Sequence, residues 1–586
     1  MQGKLTKLNS GIEKLFEFLE KDRFTPFTAF IYFLILGVIR SVSESLFFEY
    51  GTFSIYLVIQ HTAFNFPVFV LGVLVIHKAT GTSYRKVLNL VLIGMFIVLA
   101  PPFIDRFIFG LQGAELGHIY DYYDPQLTFL EKITFLVPTH ILGNESVSPG
   151  LRTMAASIFS LSTFYIFFKI ELYKIKKFLL DRDYQAIFSK LSRFFFGAFG
   201  IWLVVWFISS VVPSVILFAE SGEVRIFDYI FVTPKPLYYR FFEQYGYTTQ
   251  EIFPGIPGVV GLAEGLALQQ RSLFVTMFFT ALTGISLVGT LAVVKKELLD
   301  NIIASIDKSV VLTTTISALL GSGIIQLVDP GFDKGWAIDP TYALHLPYLF
   351  YLASMGFFLG CLASFVYSYH DEESLLSKYV SKQLSIVSAL AVISFAFLMG
   401  PFSTLPLGLI VVTITYFVFA NKGKSFDLLT SLSFSSISIF SFLLGFYTPG
   451  QWKATIWESG GRAVDVETYE TINISRRPEL TLSVIGMILI LFVMISIVFY
   501  LSSLIEKGHP MVEFPKTIAF LPLFLLPSLI FTGLGSFTLF MILGLFSVFL
   551  MEEASPKLPI YVICLQFIYI LISPEVWGIL PSLSLF

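Results

Sequence analysis

LPYLFYLASMGFFLGCLASFVYSYHDEESLLSKYVSKQLSIVSALAVISFAFLMG, residues 346–400, is the stretch on which the fold turns. From 346 to 369 it has no charged side chain. About 20 such residues, rising 1.5 Å each, cross the ~30 Å hydrocarbon core of a bilayer as an α-helix. Charge returns in one turn, Tyr369-His370-Asp371-Glu372-Glu373 followed by Lys378 and Lys382, and residues 383–400 are uncharged again. Two apolar runs joined by a charged turn predict two transmembrane helices that meet at a membrane surface.

The same pattern extends in both directions. Apolar runs at 26–48, 52–77, 86–104, 150–169, 194–219, 271–294, 309–327, 346–369, 383–400, 403–420, 428–447, 480–504, 516–533, 535–551 and 558–578 predict about 15 transmembrane helices. The tight pairs 383–420 and 516–551 also read as re-entrant hairpins. Composition agrees with an all-α polytopic integral membrane protein. The 586 residues are 55% hydrophobic and only 13% charged, against about 25% charged in soluble domains. A soluble multidomain enzyme is excluded because its surfaces could not be covered. A net charge of −3 supplies no basic field for nucleic acid.

Charge asymmetry sets the expected orientation. With the N-terminus inside, 25 of the 38 Lys and Arg fall in segments assigned to the cytoplasmic side, and the outside segments are longer and more acidic. A cytoplasmic N-terminus and an outside C-terminus follow. The opening GIEKLFEFLEKDRF predicts an amphipathic surface helix with Ile12, Leu15, Phe16 and Leu19 on one face. No cleavable signal peptide is read there. Cys361 and Cys564 lie in apolar runs, which speaks against a disulfide framework or a thiolate metal site.

Organisation along the chain suggests a first bundle, 1–230, with the N-terminal amphipathic helix. An outer loop and connecting span, 231–295, and a second bundle, 296–586, follow. The outer loops 105–149 and 220–270 are candidate docking surfaces for a protein partner. The connectors KIKKFLLDRDYQAIFSK and KKELLDNIIASIDKS both read as short amphipathic helices at the inner surface. Arg40 and Glu44, one turn apart, predict an internal ion pair. His61 and Asn65 are mid-span polar groups, Pro67 predicts a kink, and Pro101-Pro102 breaks the third span before Asp105. Asn144-Glu-Ser and Asn473-Ile-Ser fit the N-glycosylation pattern on outside loops.

Three inside turns carry candidate chemistry. Asp371, Glu372 and Glu373 offer hard oxygen ligands suited to Mg²⁺, and solvated acids capping the next helix are the competing reading. Leu504-Ile505-Glu506-Lys507-Gly508-His509 adds a carboxylate, and Asn421-Lys422-Gly423-Lys424 adds two ammonium groups able to clamp a diphosphate. The last turn also satisfies the positive-inside rule with no further role.

In these turns the second half resembles the UbiA family of intramembrane prenyltransferases. Counted from 309–327 it has nine spans, as that family does. Asp371, Glu372 and Glu373 in VYSYHDEESLLSKYVSK stand where the family carries its first Asp-rich motif, and IEKGHPMVEFPKT stands where it carries the second. Val366-Tyr367 replaces the leading Asn-Asp pair. The resemblance implies a chamber for an isoprenoid lipid or isoprenyl diphosphate. It implies Mg²⁺ on Asp371, Glu372, Glu373 and Glu506, diphosphate contacts from Lys378, Lys382, Lys422, Lys424 and Lys507, and prenyl transfer as the reaction.

The first half resembles the Yip family of five-helix membrane proteins through HTAFNFPVF, GTSYRKVLN, APPFID and SPGLRT. That resemblance implies membrane organisation rather than a reaction. Two other functions stay open: a non-catalytic scaffold or lipid-binding protein with degenerate prenyltransferase motifs, and a transporter.

Overall fold

The computed structural model describes residues 2–47, 55–108, 110, 149–206, 257–328, 346–371, 374–399, 404–420, 427–458, 463–464 and 471–472, with separate positions between 485 and 500. Apart from a two-residue antiparallel pair, Ala463–Val464 with Thr471–Ile472, its regular structure is helical. The helices are α1 (Gln2–Leu19), α2 (Pro26–Phe47), α3 (Ile55–Thr80), α4 (Tyr84–Gly94), α5 (Ala100–Phe103), α6 (Pro149–Lys169), α7 (Ile175–Leu180) and α8 (Tyr184–Trp206). They continue as α9 (Pro257–Val294), α10 (Lys296–Ser305), α11 (Lys308–Val328), α12 (Leu346–His370), α13 (Lys378–Met399), α14 (Thr404–Ala420) and α15 (Asp427–Glu458).

Among the described residues six helices are long and apolar enough to cross a bilayer, or seven if α10 and the start of α11, bent by 66°, form one broken span. Long apolar helices of this kind mark a membrane protein. The expected spans 516–533, 535–551 and 558–578 lie outside the described residues, and 480–504 is described only in part. α9 starts at Pro257, well before the apolar run at 271. Pro at a first helical position is preorganised, and the Ala, Leu and Gln that follow favour helix.

The chain forms two compact units: Met1–Asp228 with Ala267–Leu299, and Tyr229–Leu266 with Asp300–Phe586. In the first, α1 docks its apolar stripe onto the bundle. Phe16 is buried, with ring centroids 4.9 Å from Tyr165 and 5.8 Å from Phe168, both on α6. Ile12 and Leu19 pack beside it. Leu15, expected on the same face, is exposed instead. Positions 12, 16 and 19 stack at 3.6-residue spacing, and position 15 falls at the edge of that stripe.

Small residues set the close crossings in this unit. A Cβ added at Gly200 would lie 2.7 Å from the Val75 side chain, and one at Gly197 would lie 2.8 Å from Ala79 and from Ile166. α8 therefore runs close against α3 and α6 through glycine, as bilayer helices do when packing rather than hydrophobic transfer holds them together. The outer side of α8 is apolar and exposed at Phe188, Phe195, Phe196 and Phe199, as a lipid-facing surface requires.

The second unit is built on α12, whose window Leu349–His370 is 67% buried, against 17% for the peripheral Tyr184–Val205. α11 packs on it where Gly356 and Gly360 leave room for Thr314 and Val311. α15 packs on α11 where Gly445 faces the Ala318 carbonyl and Gly321 faces the Phe442 carbonyl, and the Ser441 hydroxyl donates to the Thr314 carbonyl at 2.6 Å. Serines and threonines fill the remaining interior, most of them hydrogen-bonded to a carbonyl one turn back, as in Thr313 to Ser309, Ser385 to Ser381 and Ser435 to Ser431. α13 and α14 are separate helices, and residues 400–403 between them are outside the described set.

Candidate functional site

Asp307, Ser364, Ser368 and Ser381 gather three helix ends of the second unit at one polar edge. Asp307 stops α10 and caps α11, because its Oδ1 accepts from the Ser309 amide at 3.0 Å and the Ser309 hydroxyl at 2.5 Å. The Asp307 amide in turn donates to the Ser364 hydroxyl at 3.2 Å, and that hydroxyl donates to the Gly360 carbonyl at 2.9 Å. One turn along α12, the Ser368 hydroxyl pairs with that of Ser374 and lies 3.3 Å from that of Ser381. Ser381 is fully buried near the start of α13, and Ser377 caps that helix through the Val380 amide at 3.4 Å.

The described members of the expected site, Asp371, Lys378 and Lys382, flank Ser374 and Ser381 in sequence. The Asp371 amide donates to the Tyr367 carbonyl at 3.0 Å and closes α12, and its side chain is partly exposed. Lys378 and Lys382 are exposed one turn apart on α13. Glu372, Glu373, Lys422, Lys424, Glu506 and Lys507 lie outside the described residues.

The chemistry available here to a phosphate oxygen is the ammonium charge of Lys378 and Lys382, because the serine hydroxyls and the Ser309 and Val380 amides are already hydrogen-bonded within the protein. Two described carboxylates belong to this edge, Asp371 at the end of α12 and Asp307, which caps α11. Among the described residues no three His, Cys, Asp or Glu side chains stand together as metal ligands. Of the four expected Mg²⁺ ligands Asp371 is described, and Glu372, Glu373 and Glu506 are not. Asp307 and the serines were missed in the sequence. Their signal was present in Asp307-Lys-Ser, a helix-cap pattern, and in the four-residue spacing of Ser364/Ser368 and Ser381/Ser385.

The first unit carries its own buried polar groups. Arg40 is 7% exposed, and its guanidinium donates to the Val98 carbonyl at 3.0 Å. In a regular helix that carbonyl would receive the amide of residue 102, which is proline and has none. Arg40 supplies the missing donor. Glu44, its expected ion-pair partner, has a side chain outside the described set.

The third span changes form at this break, from α4 through a 3₁₀ segment, Met95–Leu99, and α5 to a π turn, Ile104–Ile108. Asp105 is 3% exposed, and its Oδ1 accepts from the Gly150 amide at 2.6 Å, so it caps α6 from another helix. α3 continues through Pro67, with Asn65 buried. The His61 side chain and both glycosylation patterns lie outside the described residues, as does Cys564, while Cys361 is a buried free thiol.

At the opposite end, Glu20 is 5% exposed and receives both the Lys169 ammonium at 2.5 Å and the Tyr165 hydroxyl at 2.9 Å. Asp22 pairs with Arg85, and the Arg23 amide donates to Asn89 at 3.1 Å. These bonds fix the end of α1 to α4 and α6.

Beyond α6, Glu171 takes the left-handed conformation at φ 56° and receives Lys174 at 2.6 Å and Lys190 at 3.7 Å. The Lys174 hydrogen bond, more than the charges of Lys174 and Lys190, holds the Glu171 carboxyl below its ordinary value of 4.5. A lowered carboxyl contributes stability above its unfolded value and loses that contribution as pH falls through the folded value. Glu171→Gln should therefore unfold slightly earlier than the parent at pH 7, by less than about 1 kcal/mol for so exposed a pair. The difference should close below pH 4.5. Thermal unfolding of both proteins in detergent at the two pH values checks this.

No family model, no curated protein and no solved structure matches the chain.

Proposed function

We propose that the chain is an integral membrane protein of about fifteen transmembrane helices in two bundles, with its N-terminus cytoplasmic and its C-terminus outside. In this reading the second bundle, 296–586, is UbiA-like. Its apolar interior takes an isoprenoid chain, and its cytoplasmic rim takes the phosphate-bearing head group, as in an isoprenyl diphosphate. Lys378, Lys382, Lys422, Lys424 and Lys507 supply positive charge. Asp371, Glu372, Glu373 and Glu506 are the residues that would hold Mg²⁺, which when bound neutralises a diphosphate leaving group. Prenyl transfer is the reaction such a site would perform. The first bundle, 1–230, is Yip-like and serves membrane placement, with loops 105–149 and 220–270 for a protein partner.

The supporting observation is the exposed pair Lys378 and Lys382, one turn apart at the start of α13 and close in sequence to Asp371, where the hydroxyls of Ser368, Ser374 and Ser381 tie the end of α12 to the start of α13. Two exposed ammonium groups one turn apart recognise phosphate, and apolar helices α12 and α13 lead away from the turn. A second reading, a lipid-binding bundle without catalysis, is favoured by Asp307. That carboxylate at the same edge is committed to capping α11, a structural task.

Both readings require the head-group contact. Lys378→Gln/Lys382→Gln in the full-length protein should weaken binding of a labelled isoprenyl diphosphate by roughly tenfold or more, since each lost charge-assisted contact is worth ~1.5–3 kcal/mol. Binding of the matching isoprenol should be unchanged. Equal affinities of parent and variant for the diphosphate would refute the assignment.

A further inference from the structure

Between α6 and α8 the chain makes a shelf bracketed by two non-glycine residues in the left-handed conformation, Glu171 at φ 56° and Arg182 at φ 53°. Such residues are uncommon and reverse the chain direction sharply. The shelf is fastened from within. Lys190 donates to the Ile170 carbonyl at 2.6 Å and lies 3.7 Å from Glu171, which also holds Lys174. Asp183 is used as the cap of α8, accepting from the Ala186 amide at 3.0 Å.

What remains on the outside has two characters. Leu179, Leu180, Tyr184 and Phe188 are exposed by 53%, 75%, 68% and 77%, an apolar surface that water would not favour. Lys176, Arg182 and Arg193 are exposed on the same segment and outnumber the exposed Asp181 and Asp183, the latter already committed to its cap. Exposed apolar side chains next to basic ones, on a fixed element at the end of two apolar helices, match a surface that lies in a bilayer interface. There the apolar groups enter the acyl boundary and the cations meet headgroup phosphate.

We infer that the 170–193 shelf is a docking surface for anionic phospholipid, with Leu179, Leu180, Tyr184 and Phe188 inserted and Lys176, Arg182 and Arg193 on the lipid phosphates. Association with anionic lipid fixes the first unit at the leaflet it faces, independently of any ligand in the second unit.

The test uses the full-length chain with Cys361→Ala and Cys564→Ala, carrying an environment-sensitive NBD fluorophore on Leu180→Cys. It is reconstituted into phosphatidylcholine vesicles containing a little rhodamine-labelled phosphatidylglycerol or rhodamine-labelled phosphatidylcholine. NBD emission should be that of an apolar site, and energy transfer should favour the phosphatidylglycerol acceptor. Lys176→Gln/Arg182→Gln/Arg193→Gln should abolish that preference, which falls roughly fivefold for each basic side chain removed near a charged surface. Water-like NBD emission, or equal transfer from both acceptors in the parent, overturns the inference. The same fluorophore on Phe196→Cys, midway along α8, reports the membrane reading separately. Apolar emission at 196 with water-like emission at 180 would overturn the shelf alone, and water-like emission at both would overturn the membrane reading as well.

Discussion

Gly445→Val should leave a protein that no longer holds α15 against α11 and cannot be purified as a single species in detergent. A Cβ at 445 would overlap the Ala318 backbone carbonyl, and one at Gly321 would overlap the Phe442 carbonyl. Backbone cannot swing aside as a flexible side chain can, so relief requires the two helices to separate. Separation also breaks the 2.6 Å bond from Ser441 to the Thr314 carbonyl. The expected cost exceeds the roughly 1–3 kcal/mol of ordinary overpacking. Gly284→Ala, in the first unit where a Cβ meets nothing within 4 Å, should leave the labelling of the second unit at the parent temperature. Mid-helix alanine should leave stability equal or raise it by up to ~1 kcal/mol. Thiol labelling of Cys361, buried on α12, reports unfolding of the second unit in a Cys564→Ala background as temperature rises. A Gly445→Val protein that labels at the parent temperature would show that the crossing is not as close as described.

The second large effect is expected at Arg40, which tests a compensation between two helices. Arg40→Leu removes the donor to the half-buried Val98 carbonyl, whose helical amide partner Pro102 cannot supply. The cost should be about 1.5–3 kcal/mol, the range for a hydrogen bond with a charged partner. Pro102→Ala restores the amide that Val98 would receive in a regular helix. In the double variant the loss from Arg40→Leu should therefore shrink by 1 kcal/mol or more, a coupling that distant sites do not show. Denaturation in SDS followed by far-ultraviolet circular dichroism gives the four stabilities. Additive effects would mean that Arg40 does not substitute for the missing amide.

These two cases mark where sequence reading succeeds and where it stops. The apolar run 346–369 announced α12 because a bilayer leaves an uncharged chain few choices but helix. The crossing at Gly445 was not announced, since the close neighbour of a glycine lies more than a hundred residues away and composition does not name it. Pro101-Pro102 was legible as a break in the third span. The donor that repairs it was not, because spacing along one helix does not reveal that Arg40 reaches a carbonyl on another.

The candidate site divides in the same way. Asp371, Lys378 and Lys382 stood out as charges in an uncharged region. Asp307 and the buried serines did not, because a hydroxyl returning to its own helix looks like ordinary composition until helix ends are brought together. Leu15 shows the limit of periodicity: four apolar residues marked one face, and the three-dimensional contact with Tyr165 and Phe168 chose Phe16.

The most direct measurement of the proposed function is binding of a labelled long-chain isoprenyl diphosphate to the purified full-length protein, with and without Mg²⁺, in parent and Asp371→Asn/Glu506→Gln. The account predicts saturable binding to the parent that is strengthened by Mg²⁺, and loss of the metal dependence in the variant. Binding that is absent, or the same with and without the metal and the two carboxylates, would contradict a metal-assisted diphosphate site at the rim of the second bundle.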